Sequence, residues 1–418
     1  MITTAPHRSI TACRSCGAGP LETLMAFGQS PLADRLTVPG GSDPEYRAPL
    51  TLCHCPACSL CQLRETVEPD ILFHSAYPYF SSVSPALVAH FTDSAQCLID
   101  SFSQASDVFV VEAASNDGTM LAPFQAAGHR VLGIDPAAAP VAEARRKGIP
   151  TDQVFFTAGH ARHIRDRHGP ADLFIANNVL AHVADVNDFV AGIAILLKDQ
   201  GCAVIEVPSL MALVDDCAFD TIYHQHLLYL SLTALAPLFS RHGLVLTDAE
   251  KVWVHGGSFR LRIARHGAPS ARLLDLMAEE ARRDMGTRAF FDPFLQRIRT
   301  LCDETRAAVT DLANQGMRIA AYGAAAKGTT LLHMLDLPAG ALRHVYDKSP
   351  WKAGKAMPGS GLVIRPASEL SRDDVDAVLL LAWNFADEIL SENRRFLEAG
   401  GQFLIPVPKL RHVRRPTP

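Results

Sequence analysis

Short runs of consecutive apolar residues alternate with helix-length segments through the middle of the chain. The runs lie at residues 107–112, 131–135, 172–176 and 201–208. Unbroken apolar strands separated by helical segments are typical of a parallel sheet that is covered on both faces. The pattern therefore predicts a central, doubly wound, Rossmann-like α/β domain.

A second set of apolar runs follows near the C-terminus, at 318–322, 343–347, 375–382 and 402–406. These runs predict a second Rossmann-like α/β unit. The intervening residues are charged, poor in glycine and helical in period, so we expect a bridging pair of helices over 271–284 and 293–314.

The N-terminal stretch differs from both, because residues 10–65 are rich in Cys, Pro and Gly and lack helical periodicity. Such a composition predicts a small loop-built module that something other than a hydrophobic core holds together. Six of the ten cysteines lie before residue 62, and that clustering favours a bound metal over disulfides.

Two C-x-x-C pairs, Cys13 with Cys16 and Cys55 with Cys58, can close a tetrahedral Zn²⁺ site. A site with four thiolates leaves no position for water or substrate, so its role is expected to be structural. Ligand exchange remains an alternative, with Cys61 replacing Cys58 or Cys53 replacing Cys55.

These patterns together predict an α/β protein of three parts. We expect a small zinc-stabilised N-terminal module in residues 1–70 and a central Rossmann-like domain in 71–265. A helical bridge and a C-terminal Rossmann-like domain are expected in 266–418.

Charge and hydropathy narrow the range of partners. The chain of 418 residues carries 39 Lys plus Arg against 44 Asp plus Glu, a net charge of -5, with no basic block. Nucleic acid and membranes are therefore not expected partners. No apolar run approaches the roughly 20 residues that span a bilayer, so we expect a soluble, cytoplasmic protein, either a monomer or a homodimer.

A cofactor site is predicted where the first strands of the central sheet end. Glu112 closes the strand at 107–112, a turn leads through Asp117 into a helix, and Asp135 closes the next strand. An acid at that position can bind the ribose hydroxyls of NAD or of S-adenosylmethionine. The loop lacks the three-glycine spacing that brings a dinucleotide pyrophosphate close to backbone amides, and Glu112 and Asp117 would repel a pyrophosphate. S-adenosylmethionine is therefore favoured over NAD. The expected cofactor-binding residues are Glu112, Ala114, Asn116, Gly118, Asp135, Asn177 and Asn178.

A second glycine-bounded turn, at residues 323–328, follows the first strand of the C-terminal unit. It places Lys327 at a helix start, and Asp347 ends the next strand. This turn is either a phosphate or nucleotide contact or simply a packing turn.

Candidate catalytic residues concentrate in the segment at 220–231, which holds two histidines and two tyrosines and is too polar for a core. His182 follows the strand at 172–176 and is expected near the cofactor. A histidine is the natural base near neutral pH, and a tyrosine can donate a hydrogen bond to a developing oxyanion.

Several long motifs of the chain closely resemble those of the sugar C-methyltransferases, which methylate a carbon beside the ketone of nucleotide-linked 4-keto-deoxysugars. The resemblance covers nearly the whole length. It rests on the two C-x-x-C pairs and on the motifs at 77–84, 115–118, 178–183, 219–226, 255–258, 323–328 and 382–385. It implies a zinc-binding domain, a central S-adenosylmethionine-dependent domain, and a C-terminal Rossmann-like domain that closes on the acceptor.

The resemblance also implies roles for individual residues. His226 is the expected base, and Tyr223 and His182 are expected to hold the ketone and its enolate. The remaining expected catalytic residues are Gln225, His224 and Tyr79. Tyr79 is expected to line the sugar pocket. The expected substrate contacts are Tyr79, Ser82, Ser84, His255 and Lys327.

One departure from the family is Gln225, which stands where the family commonly has Glu. An amide can orient a neighbouring histidine but supplies no charge to raise its pKa. Two hypotheses follow: a retuned base, or an acceptor whose carbon is already nucleophilic, such as a non-sugar natural-product intermediate. Two further alternatives are an NAD-dependent oxidoreductase that uses residues 323–328, and a non-catalytic module that binds zinc and S-adenosylhomocysteine.

Overall fold

A computed structural model describes residues 2–41, 43–72, 80–102 and 107–414, except for the side chain of His255. Three larger sheets and a small two-stranded sheet form an α/β architecture. The predicted fold class is confirmed. In the part of the chain that the structure describes, no helix is both long and apolar enough to cross a bilayer.

The strands, in chain order, are β1 (Ile2–Thr4), β2 (His7–Ser9), β3 (Glu22–Pro31), β4 (Glu45–His54), β5 (Cys61–Leu63), β6 (Glu65–Val67), β7 (Phe109–Ala113), β8 (Arg130–Ile134), β9 (Thr151–Asp152), β10 (Ala171–Asn177), β11 (Leu197–Pro208), β12 (Leu228–Tyr229), β13 (Val245–Val252), β14 (Ser258–Ala264), β15 (Ile319–Tyr322), β16 (Val345–Asp347), β17 (Ile364–Pro366), β18 (Ala377–Leu380), β19 (Gln402–Ile405) and β20 (Arg411–Val413).

The α-helices are α1 (Pro69–Leu72), α2 (Pro85–Ser101), α3 (Ala122–Ala126), α4 (Ala138–Arg146), α5 (Ala158–His168), α6 (Val186–Leu196), α7 (Leu210–Asp215), α8 (Leu232–Arg241), α9 (Ala271–Arg282), α10 (Arg288–Asn314), α11 (Ala326–Leu335), α12 (Ala386–Glu392) and α13 (Arg394–Glu398). Short 3₁₀ helices occur at Ser81–Val83, Leu180–His182, Phe219–Thr221, Val254–Gly256, Ala367–Glu369 and Trp383–Phe385.

The central sheet has the strand order β13-β14-β11-β10-β7-β8-β9. The five strands from β11 to β9 are parallel, and the hairpin of β13 and β14 adds to β11 in the antiparallel sense. Every residue of β7 is buried, as expected for a strand with helices on both faces. The carboxyl ends of β7, β8 and β10 therefore meet at one edge, where Glu112, Asp135 and Asn177 lie.

The C-terminal sheet has the order β17-β16-β15-β18-β19-β20 and is parallel except for β20. Its strands β15, β16, β18 and β19 coincide closely with the predicted apolar runs. The chain leaves β15 through α11 to β16 on one side, while β18 pairs on the other side. The strand order therefore reverses at the carboxyl end of β15, next to the turn at residues 323–328, which is where doubly wound sheets commonly bind ligands.

The composition predicted a loop-built N-terminal module, and this prediction is wrong, because the region is built mainly of strands. It supplies four strands, β1, β3, β4 and β5, to a five-stranded sheet that β12 completes, and β3 and β4 are each ten residues long. Strands β2 and β6 form a separate pair. The cysteine-rich turns dominated the composition, and β3 gives no period-two signal, because its register shifts twice and its buried positions Leu24, Phe27 and Ser30 are three residues apart.

The bridging helices are confirmed, although α10 begins at Arg288, ahead of Pro293 rather than at it. Its buried positions include Phe291, Phe294, Ile298 and Leu301, which recur at the three- and four-residue spacing of a helix face. This stripe packs the bridge into the main hydrophobic core.

One short strand connects the N-terminal sheet to the central part of the chain. β12 pairs antiparallel with β5, so that Leu228 lies opposite Gln62 and Tyr229 opposite Cys61. The backbone amide of Leu63 also donates to the carbonyl of Leu227 at 2.8 Å. The polar segment that precedes β12 is therefore held against the N-terminal sheet.

Candidate functional site

The sulfur atoms of Cys13, Cys16, Cys55 and Cys58 lie within 4.8 Å of one another. The Cys13–Cys58 and Cys16–Cys55 distances are both 3.6 Å. A tetrahedral site with Zn–S bonds of about 2.3 Å has sulfur–sulfur edges of about 3.8 Å, so the four side chains fit a zinc ion. No other metal-ligating cluster of three or more residues occurs in the described ranges.

The surroundings of the sulfurs also suit thiolates. The side-chain amide of Gln62 donates to Cys13 Sγ at 3.2 Å, and the amide of Ser15 donates to it at 3.4 Å. The hydrogen bond with Cys58 lowers the pKa of Cys13 to about 4 and raises the pKa of Cys58. Zn²⁺ would remove this competition for protons by taking all four sulfurs as thiolates.

Cys53 and Cys61 lie outside the cluster of four sulfurs. Both are buried, and burial raises the pKa of each thiol, which favours neutral side chains. The geometry therefore does not support the alternative ligand sets.

The metal-binding turns dock directly on the central domain. The side-chain amide of Asn187, in α6, donates to the carbonyls of Arg14 and Ser15 at 2.8 and 2.9 Å. His242, at the end of α8, contacts Asn187 Oδ1 at 3.0 Å. A zinc ion that shapes these turns would thereby also set the position of the module on the central sheet.

The loop after β7 takes the left-handed backbone conformation at Ala114, Asn116 and Gly118, with φ values of 55°, 51° and 77°. Left-handed alanine is strained, by roughly 1–2 kcal/mol. The loop therefore makes sharp turns of the kind that usually require glycine, although Ala114 and Asn116 occupy the first two left-handed positions.

The two aspartates near this loop have separate surroundings. The carboxylate of Asp135 accepts hydrogen bonds from the amides of Asn116 and Ala137 at 2.9 and 2.8 Å, which leaves acceptor capacity on both oxygens. Asp117 is fully buried and forms an ion pair with Lys147 at 3.0 Å. The expectation that Asp117 would face and repel a pyrophosphate is therefore wrong.

Several buried polar atoms at the edge of the central sheet have no hydrogen-bond partner among the described residues: Glu112 Oε2, Ser115 Oγ, Asn177 Nδ2 and Asn178 Oδ1. Burial, and then the charges of Asp135 and Asp117, raise the pKa of Glu112 well above its ordinary value. Unpaired buried groups are costly and require a partner. A cation with hydroxyl and amino groups, which describes S-adenosylmethionine, supplies what these atoms lack.

Tyr223, His226 and His182 form one cluster beyond this edge. The Tyr223 hydroxyl lies 3.0 Å from His226 Nε2, and the rings of His182 and His226 meet edge to face at 4.8 Å. His226 Nδ1 lies 2.8 Å from the carbonyl oxygen of Thr221. Because a carbonyl only accepts, Nδ1 carries the proton, and neutral His226 has its basic lone pair on Nε2.

His182 is oriented in the same way, since its Nδ1 donates to the backbone carbonyl of Gln225 at 2.8 Å. The 3₁₀ helix Leu180–His182 positions the ring directly after β10. The amide of Leu227 donates to the carbonyl of Ala181 at 2.7 Å and holds the two segments together. The sequence prediction that these residues converge agrees with this arrangement.

The side chains of His224 and Gln225 do not join the cluster, so the structure does not support their expected part in catalysis. His224 Nε2 contacts the carbonyls of Ala48 and Pro49 at 3.3 and 3.1 Å, and burial lowers its pKa to about 4. Gln225 Nε2 donates to the carbonyl of Ala33 at 2.9 Å. Both side chains tie the segment to the N-terminal module.

Two of the expected substrate contacts, Ser82 and Ser84, have partners within the protein. Ser82 hydrogen bonds to Asp117, and Ser84 caps α2 by accepting from the amide of Leu87 at 3.3 Å. The structure thus corrects Ser84 to a capping residue. Tyr79 lies outside the described residues, as does the side chain of His255.

Lys327 lies at the start of α11, where the sequence places it, and reaches the central domain. Its ammonium stacks 3.9 Å from the ring centroid of Trp383, contacts Asn384 and is attracted by Asp220. Burial lowers the pKa of Lys327 to about 8. Asp347 accepts a hydrogen bond from the amide of Ala324 at 2.7 Å and so stabilises the turn.

Sequence reasoning assigned no role to Asp220 or Trp383. Trp383 Nε1 donates to Asp220 Oδ2 at 2.7 Å across the contact between the C-terminal and central regions. The available signals were that Asp220 is the acid that begins the segment at 220–231 and that Trp383 lies within the motif at 382–385.

Three family models match the chain. They are a zinc binding domain over residues 13–73, a methyltransferase domain over 97–249 and a C-methyltransferase C-terminal domain over 253–408. The chain is 34% identical to the C-methyltransferase NovU of Streptomyces niveus over 416 residues, which covers 97% of each protein. It therefore belongs to the C-methyltransferase family, and it is an S-adenosylmethionine-dependent methyltransferase with a zinc-binding N-terminal region.

Solved structures match the methyltransferase region at lower similarity. The magnesium protoporphyrin IX methyltransferase of Synechocystis PCC 6803 is 15% identical, with a TM-score of 0.34, over 43% of this chain and 82% of that one. A methyltransferase from Clostridium acetobutylicum is 9% identical, with a TM-score of 0.33, over 42% and 92%. At these scores the comparison supports no conclusion about the acceptor.

The four-cysteine cluster leads to a prediction about metal content. We expect Cys55→Ser to lose zinc and to lower the melting temperature, because the remaining thiolates cannot close the site. Cys53→Ser and Cys61→Ser, which are also buried but lie outside the cluster, should retain zinc. Elemental analysis of the purified variants measures this, and zinc loss in Cys61→Ser with retention in Cys58→Ser would favour the alternative ligand set.

The surroundings of Gln225 predict that the family's usual Glu is unfavourable in this chain. In Gln225→Glu an ionised carboxylate would face the carbonyl of Ala33 while buried, which costs about 2–4 kcal/mol. Burial raises the folded-state pKa of that acid, so the loss of stability should appear as the pH rises above about 4.3.

Urea unfolding at pH 5 and pH 8 measures this effect, with the exposed Gln29→Glu in the same module as the matched control. A fully stable Gln225→Glu whose pH–rate profile shifts would instead support the retuned base.

Proposed function

We propose that this enzyme removes a proton from the carbon next to the ketone of a nucleotide-linked 4-keto-deoxysugar and methylates the resulting enolate. The observation that carries the proposal is the hydrogen bond between Tyr223 and the unprotonated Nε2 of His226. A base and a hydroxyl donor lie side by side, as enolate formation requires.

S-adenosylmethionine supplies the electrophilic methyl group. We assign its binding to the edge of the central sheet, with Asp135 accepting from the ribose hydroxyls and Glu112 balancing positive charge. The unpartnered atoms of Asn177 and Asn178, together with the backbone at Ala114, Asn116 and Gly118, complete the binding site. Glu112 becomes favourably ionised beside a cation, although its pKa is raised in the absence of one.

The ketone oxygen first takes over the hydrogen bond from the Tyr223 hydroxyl, which frees the single lone pair of His226 Nε2 to accept the proton from the substrate carbon. The electrons of the C–H bond move into the ketone, whose oxygen becomes the enolate oxygen. The protonated Nε2 no longer accepts a hydrogen bond, so the Tyr223 hydroxyl continues to donate to this oxygen. Bound S-adenosylmethionine would supply the methyl group to the enolate carbon as its carbon–sulfur bond breaks, and the proton on His226 leaves to solvent.

His182 has a complementary role beside the same oxygen. Its Nδ1 is committed to the carbonyl of Gln225, and its ring stands at an angle of 67° to that of His226. Two imidazoles at 4.8 Å cannot both be charged without mutual repulsion. We therefore assign the neutral form to His182 when His226 carries the substrate proton.

The sugar-nucleotide acceptor is supported by the reversal of strand order at β15 in the C-terminal sheet. Ligands of doubly wound sheets bind at such a reversal of strand order, and phosphates bind at helix starts. Helix α11 begins there without a side-chain cap, and Lys327 lies in its first turn. The same lysine reaches Asp220 of the central domain, so a diphosphate at α11 would place the attached sugar towards the catalytic cluster.

The alternative acceptor, a non-sugar carbon acid, was suggested by Gln225. That side chain points to Ala33 and not to His226. Its replacement of Glu therefore says little about the reactivity of the acceptor.

Proton exchange in D₂O tests the proposal directly. With S-adenosylhomocysteine bound, thymidine-diphosphate 4-keto-6-deoxysugars should take up deuterium at a carbon beside the ketone, as mass spectrometry would detect. His226→Gln should slow this uptake by about 10²–10⁴-fold, the usual contribution of a general base.

The exposed His266→Ala serves as the control and should exchange at the native rate. If S-adenosylhomocysteine binds but none of the sugars exchanges, the keto-sugar assignment is wrong.

The lowered pKa of Lys327 gives a pH test of the phosphate contact. A lysine with a pKa of about 8 loses its charge as the pH rises through that value, so the affinity for thymidine diphosphate should fall between pH 7 and pH 9. Lys327→Arg should remove most of this dependence, because arginine stays charged.

Thermal shift with thymidine diphosphate measures binding, and ligand at 100 times its Kd should stabilise by about 2.7 kcal/mol. Lys327→Met should abolish the shift, whereas Met at the exposed Lys409 should not. Equal protection of both Met variants would assign residues 323–328 to packing alone.

A further inference from the structure

Asp220 is a fully buried acid that has no part in the mechanism above. It lies in the 3₁₀ helix Phe219–Thr221, directly before Thr221. The carbonyl oxygen of Thr221 fixes the proton of His226 on Nδ1. The conformation of this turn therefore determines which nitrogen of His226 is basic.

The C-terminal region holds the turn from two sides. Trp383 Nε1 donates to Asp220 Oδ2 at 2.7 Å, and the hydroxyl of Thr330, in α11, donates to the carbonyl of Ile222 at 3.0 Å. These bonds flank Thr221 on both sides in sequence. Both Asp220 and Thr330 are buried, so water does not replace a lost bond readily.

The buried carboxyl group of Asp220 depends on its hydrogen bond from Trp383. Burial raises its pKa, while Lys327, Trp383 and the backbone amides of Asp220 and Thr221 oppose that effect. Asp220 Oδ1 has no hydrogen-bond partner within the described part of the chain, so Trp383 is the main side-chain donor to this carboxyl group. Loss of the indole N–H would leave a buried acid poorly compensated, and the turn would rearrange.

We propose that Trp383 and Thr330 are positioning residues that, through Asp220 and Ile222, hold Thr221 against His226 and keep Nε2 of that histidine unprotonated. The inference rests on the proposed function only in taking His226 as the base. It means that the base is fully formed only when the C-terminal region is docked on the central one.

The experiment combines two measurements on the full-length, zinc-loaded protein. The first is the rate of deuterium exchange into the keto-sugar with S-adenosylhomocysteine bound. The second is the tautomer of His226, observed by NMR with ¹⁵N-labelled histidine and assigned by loss of its signals in His226→Gln. Tautomer populations do not depend on the acceptor, so they test the positioning even if no sugar exchanges.

Trp383→Phe removes the donor but keeps an aromatic ring beneath Lys327. We expect exchange to slow roughly tenfold or more and the Nδ1–H form of His226 to lose population, while the Kd of S-adenosylhomocysteine stays unchanged. Trp351→Phe, at a tryptophan of the same region that is 76% exposed, is the matched control and should behave as the native protein.

Thr330 supplies a second, milder pair of variants in case Trp383→Phe does not fold. Thr330→Val removes the hydroxyl at nearly constant shape, and Thr330→Ser retains it, so only the valine should slow exchange and alter the tautomer. An unchanged His226 tautomer in Thr330→Val and in folded Trp383→Phe would overturn the positioning role. If the variants change the tautomer of His226 but the native enzyme exchanges no sugar, the acceptor assignment is refuted and the positioning role stands.

Discussion

The hydrogen bond from His226 to the carbonyl of Thr221 is the constraint on which the site depends. It decides which imidazole nitrogen is basic, yet it involves only backbone and a single ring nitrogen. Its geometry must therefore be maintained from outside. Gln225 and His224 attach the same segment to the N-terminal module, and β12 continues into the sheet of that module. The catalytic cluster is thus a product of contacts among regions far apart in sequence, rather than of one local motif.

The cofactor edge illustrates a different principle. Among the described residues, Glu112, Asn177 and Asn178 have buried atoms without a hydrogen-bond partner, and Ala114 adopts a strained backbone, all at or just beyond the carboxyl ends of β7 and β10. Such costs are tolerated where a ligand compensates for them. Asp117, in contrast, is fully paired with Lys147 and shapes the loop from behind. Acids that are neighbours in sequence therefore have opposite functions, which only their partners reveal.

The parallel sheets could be predicted from the sequence because uninterrupted apolar runs such as that of β7 reflect burial on both faces, which is a local signal. The clustering of the four metal-ligating cysteines was also predictable, from the spacing of the two C-x-x-C pairs. The directions of the side chains of His224 and Gln225 were not, since both depend on carbonyls of residues 33, 48 and 49, which the fold brings near. The extent of β3 and β4 was hidden for the same reason: long-range pairing determines strands more than composition does.

The pairing of β5 with β12 has a consequence for biosynthesis. Residues 61–63 emerge from the ribosome long before residues 228–229, so the zinc-binding sheet is made with one edge still unpaired. An open strand edge is a template for association with other chains. Until the central domain has been synthesised, the edge of β5 is open to pairing with other chains. A fragment cut near residue 70 would keep this unpaired edge permanently. The N-terminal sheet is consequently completed only by a strand from the central region.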